Sequence, residues 1–297
     1  MSKQKKLIDR PVPKRPLGST GEMVSLLAVG GYHIGSPSDP RVGVEIIRTA
    51  IDNGVNFFDN ACCYHNGRSE EIMGRALREG YREKVVLMTK NHGRDYDTYK
   101  KRLQQSLTRL QTDCIDVVQF HEIIQEGIPE KLFKDGAIDA AVEARKEGKI
   151  RFIGFTGHKW PSLFLEMLQK NFKWDTVQLP LNVLDYHYRS FTKEILPILL
   201  EKKIGMIGMK SMAGGDALEI GGLTPQECLR YSMSLPVSTV VVGMDSMQLL
   251  KQNLETASKF KMMSDSEKSD FRQKTRPHAE NGEYELYKTS TSYDSGL

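Results

Sequence analysis

The sequence predicts an α/β protein of the (β/α)8 TIM-barrel class, and three observations carry that prediction. Short runs rich in Val, Ile and Phe alternate with longer amphipathic stretches along the chain, the pattern of repeated βα units. Eight such runs are present, near-evenly spaced and without a Pro/Ser-rich linker, which favours one closed barrel over two domains in 297 residues. The runs are continuously apolar, as strands covered on both faces are.

Taken in order, RPLGSTGEMV comes first, with Gly18 and Gly21 at turn spacing, and predicts a hairpin over 14–24 that plugs the barrel bottom. The predicted strands are SLLAVGG (25–31), VNFFD (55–59), KVVLMTK (84–90), IDVVQFH (115–121), IRFIGFTG (150–157), TVQLPL (176–181), IGMIGMK (204–210) and STVVVG (238–243). Between them, stretches such as PRVGVEIIRTAIDNG, SEEIMGRALREG and DGAIDAAVEARKEGK have helical period, and several close on Gly as C-caps do. The barrel spans 25–263. The extension 264–297, polar, aromatic and without clear period, reads as a lid over the barrel mouth or a frayed end. Its Glu283, Tyr284 and Tyr287 are candidates to line a hydrophilic pocket.

Composition narrows the function classes. The 42 Lys and Arg against 38 Asp and Glu leave a charge of +4, far from the clustered basic excess of a nucleic-acid binder. The basic start MSKQKKLIDR is followed by no apolar stretch, and no long apolar run occurs elsewhere, so neither a signal peptide nor a membrane partner is expected. A cytoplasmic location follows as the expectation. Four cysteines, Cys62, Cys63, Cys114 and Cys228, are too few for a disulfide framework and are expected reduced.

Asp59, Tyr64, Lys90 and His121 stand at or just beyond the ends of apolar runs, in NFFDNACCY, VVLMTK and DVVQFH. Strand ends are where a parallel barrel puts its chemistry. Together these groups form a proton-transfer site: the lysine cation favours the phenolate, and the carboxylate holds the lysine charged. Singly, each has a plainer reading, as helix cap, solvated strand end, loop aromatic or satisfied rim histidine. Their joint placement tips the reading toward function.

The stretch FDNACCYHNGRSE (58–70) resembles the aldo-keto reductase signature, in which an aspartate ends the second strand, a tyrosine follows five residues later, and Gly-x-Ser-Glu opens a helix. The resemblance extends through VLMTK, SLTRLQTDCIDVVQFH, GKIRFIGFTG, VQLPLN and VVVGMDSMQLLKQN. GFTGHK, LPLNVLDYHYRSF and GMKSMAGG resemble a divergent bacterial-type branch, and the absence of cysteine after Cys228 separates it from relatives with an iron–sulfur extension.

The resemblance implies a nicotinamide-dependent oxidoreductase interconverting a small-molecule carbonyl and an alcohol. It casts Tyr64 as general acid and base, Asp59 and Lys90 as its tuning pair, and His121 as the group that orients the carbonyl. It implies NADP or NAD as cofactor, with Gly31 and Tyr32 after the first strand and Gln178 at the end of the sixth on the binding side. Where the family ends its fifth strand in Ser-Asn, this chain has Thr156-Gly157-His158, so the threonine stands for the serine and His158 for the amide, or else His158 caps the next helix. Met209 replaces the usual stacking aromatic, with Lys210, Ser211, Met212 and Gly214 toward the pyrophosphate.

In the last unit, Gly243, Met244, Asp245 and Ser246 open a helix as an anion site, and Gln252 and Asn253 match adenine contacts. Asp245 occupies the turn where NADPH-specific relatives carry a cation. No metal is expected, because the adjacent Cys62 and Cys63 with His65 cannot readily face one ion. Two other readings stay open: a cofactor-binding regulatory or interaction barrel with negligible turnover, and a polyol or sugar dehydrogenase.

Overall fold

A computed structural model describes residues 6–296; the first five residues of the basic start and Leu297 lie outside the described residues. Strands β1 (Lys14–Pro16) and β2 (Met23–Ser25) pair antiparallel, Pro16 opposite Met23. Between them Gly18 turns at φ +54°, and a Cβ there would meet the Gly205 backbone nitrogen at 2.3 Å, so the hairpin presses directly on the barrel floor. Leu17, fully buried, enters the barrel among Phe57, Val86, Met88, Val117 and Ile207, which is the plug that the Gly18/Gly21 spacing predicts.

The barrel is built from β3 (Leu27–Gly30), β4 (Phe57–Asp59), β5 (Val86–Asn91), β6 (Ile115–Phe120), β7 (Ile150–Thr156), β8 (Thr176–Pro180), β9 (Gly205–Met209) and β10 (Thr239–Gly243). These eight are parallel neighbours in chain order, and β10 closes on β3 with Gly243 opposite Gly30. Each observed strand lies within two residues of its predicted bounds. Helices return between them over Pro40–Asp52, Arg68–Ala76, Tyr96–Leu110, Ala137–Lys146 and Met247–Ser258, among others.

Alternation along each strand divides the core in two. Ala28, Phe57, Val86, Met88, Val117, Ile207 and Val241 face the barrel interior, whereas their neighbours Val29, Phe58, Leu87, Val118, Ile153 and Val242 pack against the helices. No helix among the described residues is long and apolar enough to cross a membrane.

The extension departs from its sequence reading. It carries a helix over Asp265–Thr275, opened by a capping box in which Ser264 and Glu267 exchange hydrogen bonds, and a short final helix at Leu286–Thr289. Tyr287 is fully buried, Glu283 is exposed and Tyr284 is half-buried beside His278, so the three do not line one pocket.

Candidate active site

Strand parity assembles the site. Asp59 follows Phe57 by two, Lys90 follows Val86 and Met88, and Gln119 and His121 follow Val117, so all four positions continue the inward-facing series above the apolar floor. Thr156 and Gln178 are register partners on β7 and β8, as are Gly30 and Asp59 on β3 and β4. The polar layer therefore sits at the carboxyl end of the strands.

Lys90 is its hub. The buried ammonium pairs with the Asp59 carboxylate, donates to the Asn60 carbonyl at 2.8 Å and reaches the Tyr64 hydroxyl at 3.3 Å. Asp59 also accepts from the Gln178 side chain, while Gln178 Oε1 is buried without a partner. The Tyr64 ring lies edge-on to His121, with centroids 5.9 Å apart, and to Tyr32 at 5.4 Å. Tyr32 thus stands over the phenol at the mouth, 52% exposed.

Burial sets the protonation states. It pushes the Tyr64 phenol well above 10, and the Asp59 charge adds to the rise. The expectation that Lys90 favours the phenolate is outweighed in this resting arrangement, and the phenol is a donor. Burial also raises the Asp59 carboxyl against the pull of Lys90. His121 is held neutral, lowered first by burial and then by His92 and Lys90.

The supporting motif acts structurally. Ser69 donates to the Gly31 carbonyl at 2.9 Å, and Glu70, fully buried, accepts from Thr89 at 2.6 Å and pairs with Arg109 at 2.7 Å. Thr89 precedes Lys90, so the helix opened by Gly-x-Ser-Glu fixes the strand that carries the lysine. Gly31 admits this close packing, because a Cβ there would meet the Asp59 carbonyl oxygen at 2.5 Å.

Around the mouth the predicted cofactor residues fall in two groups. Thr156, His158, Gln178 and Ser211 are buried, with Met209, Lys210 and Met212 half-buried and Gly214 exposed beside them. Gly243, Asp245, Ser246, Gln252 and Asn253 lie at and beyond the end of β10, exposed or half-buried. Met244 is fully buried in the core, so only its backbone is available there. Ser246 caps the helix at Met247–Ser258 by accepting from Leu249 at 3.3 Å, and the His33 ring lies against Gly243. His158 caps no helix; its Nε2 faces Asp294 at 3.2 Å.

That contact belongs to a strap over the barrel mouth, where the sequence predicts a lid but does not single out these residues. Tyr293 lies against Gly214 and beneath the Lys210 ammonium, 4.5 Å from its ring centroid. Asp294 pairs with His158 and with Lys159 at 2.5 Å, and Ser295 donates twice to Glu122, at 2.9 and 2.6 Å. The extension therefore covers the mouth over the ends of β6, β7 and β9. Lys210, lowered to about 8 by burial, is sandwiched with Tyr293 and Tyr287. Glu122, at φ +52°, and His92 also escaped notice; His92 continues the inward parity of Lys90, a signal the sequence held.

The structure is thus a closed parallel barrel with a Tyr–Lys–Asp–His layer at its carboxyl mouth. The chain belongs to the aldo-keto reductase family: the family model "Aldo/keto reductase family" matches residues 26–221. Among curated relatives, the Alternaria alternata protein named aldo-keto reductase AFTS1 is 30% identical over 249 residues, covering 69% of this chain and 66% of that protein. The Arabidopsis thaliana L-galactose dehydrogenase is 28% identical over 288 residues, covering 84% and 89%. Among solved structures, the holo form of aldo-keto reductase AKR11C1 from Bacillus halodurans shares the fold with a TM-score of 0.76 at 24% identity, covering 89% of this chain and 96% of its own.

Proposed function

We propose that this chain interconverts a small-molecule aldehyde or ketone and an alcohol, with Tyr64 as general acid and base. The observation that carries the reading is the Lys90 hub, which joins the Asp59 carboxylate and the Tyr64 hydroxyl beside a neutral His121. A protonated phenol donates to a carbonyl oxygen as it gains charge, and the lysine 3.3 Å away stabilises the phenolate left behind. Neutral His121 orients that oxygen by hydrogen bonding. Asp59 pairs with the buried ammonium and holds it in place.

NADP(H) or NAD(H), when bound, supplies the hydride. Gln178 fits the nicotinamide amide, since its buried Oε1 lacks a donor. Thr156 and His158 would hold the same group, with Met209 on its face, and Lys210, Ser211, Met212 and Gly214 would follow the pyrophosphate. The turn Gly243–Ser246 with Gln252 and Asn253 would take the adenosine end, where exposed Asp245 accepts from a ribose hydroxyl and repels a 2′-phosphate. Gly31 and Tyr32 flank this path at the end of β3. We read hairpin, barrel and extension as one unit working in the cytoplasm, in keeping with its four free cysteines.

The oxidising direction on a sugar or polyol is the second reading, favoured by the likeness to L-galactose dehydrogenase. Tyr64 would then act as base.

Tyr64→Phe tests the assignment. Carbonyl reduction across a panel of aldehydes and ketones, followed by cofactor absorbance, falls by about 10²–10⁴-fold with cofactor binding retained. An unchanged rate removes Tyr64 from the chemistry. Cofactor that binds the unaltered protein and is never oxidised across the panel supports the regulatory reading instead.

A further inference from the structure

Cys63, His92 and His121 arrive from the loops after β4, β5 and β6, and their ligand atoms gather within 4.8 Å of one another. Cys63 Sγ lies 3.3 Å from His92 Nε2 and 3.7 Å from His121 Nδ1. A tetrahedral zinc ion, with Zn–S of about 2.3 Å and Zn–N of about 2.0–2.1 Å, requires S···N edges of about 3.5 Å. The two measured edges bracket that value. Cys62 takes no part, its sulfur being 4.0 Å from Arg102, and His65 turns to the Tyr32 carbonyl. The adjacent-cysteine cluster excluded from sequence is therefore replaced by one that three loops assemble.

We propose that Cys63, His92 and His121 form a binding site for a borderline-soft divalent cation of the zinc type, His121 binding through the Nδ1 that faces Cys63 and keeping Nε2 for the carbonyl of the proposed reaction. Behind His92, Nδ1 is buried without a hydrogen-bond partner, and Glu122 Oε2 stands 3.9 Å away. A carboxylate behind a ligating imidazole is the usual means of orienting it. The opposing consideration is charge: Lys90, Arg94 and Arg102 lie near His92. Burial, which pushes the Cys63 thiol up to about 12, opposes binding as well; loss of that proton to solvent as the cation binds supplies one negative charge.

The plainer account is a pair of S–H···N contacts, in which one thiol proton serves one imidazole at a time. Spectroscopy separates the two without relying on the redox reading. The full chain, stripped with chelator, is titrated with Co²⁺ and then Zn²⁺. About one equivalent of Co²⁺ is expected to give a thiolate-to-cobalt charge-transfer band with the strong visible absorption of tetrahedral cobalt, lost as Zn²⁺ displaces it. Cys63→Ser, a conservative change, abolishes the band, and His92→Gln weakens Zn²⁺ by at least about tenfold in competition with a chromophoric chelator. Absence of the band, or a band that survives in folded Cys63→Ser, overturns the site.

Discussion

Two lysine–aspartate pairs are buried among the described residues, and they differ in what they leave unsatisfied. Lys288 bonds Asp185 at 2.8 Å, the Tyr188 carbonyl at 2.7 Å and Glu285 at 3.0 Å. Asp185 is saturated in turn by the backbone of Phe191 and Thr192 and by the Thr192 hydroxyl. That cluster ties the final helix to the loop after β8 and offers nothing outward. At the mouth, Lys90 and Asp59 share their polar capacity with a half-buried phenol and with a glutamine whose Oε1 is unpaired. The same pair of residue types is an anchor where lysine and aspartate are both fully engaged, with only the neighbouring Glu285 Oε2 left without a partner, and a candidate reactive centre where one partner faces the mouth.

Removing each lysine should separate those roles. Lys288→Met removes the partner of two buried carboxylates, Asp185 and Glu285, and costs roughly 3–5 kcal/mol. Urea unfolding reads that loss, while activity per folded molecule stays within a factor of a few. Lys90→Met instead removes the group that stabilises the phenolate, and turnover drops by at least about 100-fold. Equal loss of turnover in folded Lys288→Met would make the anchor part of the site.

Acid exposes a second difference between mouth and anchor. Burial lowers His158 to about 3 even though Asp294 faces it, because desolvation outweighs that single carboxylate. The unfolded chain protonates this imidazole below its ordinary value of about 6.5. Its contribution to stability is therefore present above that pH and is lost as pH falls from 6.5 toward 3, by up to about 1.4 kcal/mol per pH unit. His158→Asn should flatten the stability profile across that window relative to the unaltered protein. Parallel profiles would mean that the imidazole is solvated in solution.

Much of this was legible in the chain. Strand runs and parity depend on local pattern, so the barrel, the hairpin plug and the layer of Asp59, Lys90 and His121 followed from order along the sequence. Contacts between distant loops did not. Cys63 meeting His92 and Asp294 meeting His158 are products of barrel closure, and no spacing encodes them. The helix within the extension escaped prediction for a different reason. It is polar nearly all round, with only Phe271 and Thr275 buried, so periodicity was faint, although the Ser264-x-x-Glu267 capping box marked its start.

The strap itself supplies the smallest effect. Asp294 holds it to His158 and Lys159, and Tyr293 covers Lys210 and Gly214, all on the proposed cofactor path. A half-buried ion pair of this kind contributes up to about 1 kcal/mol. If the strap must lift before cofactor enters, Asp294→Asn raises the fraction of open molecules, and apparent affinity rises with it. The gain in NAD(P)H binding, read by fluorescence titration, is then at most about fivefold. Weaker binding would reverse the sign and make Asp294 a group that closes over bound cofactor; the strap would then work with the mouth rather than against entry.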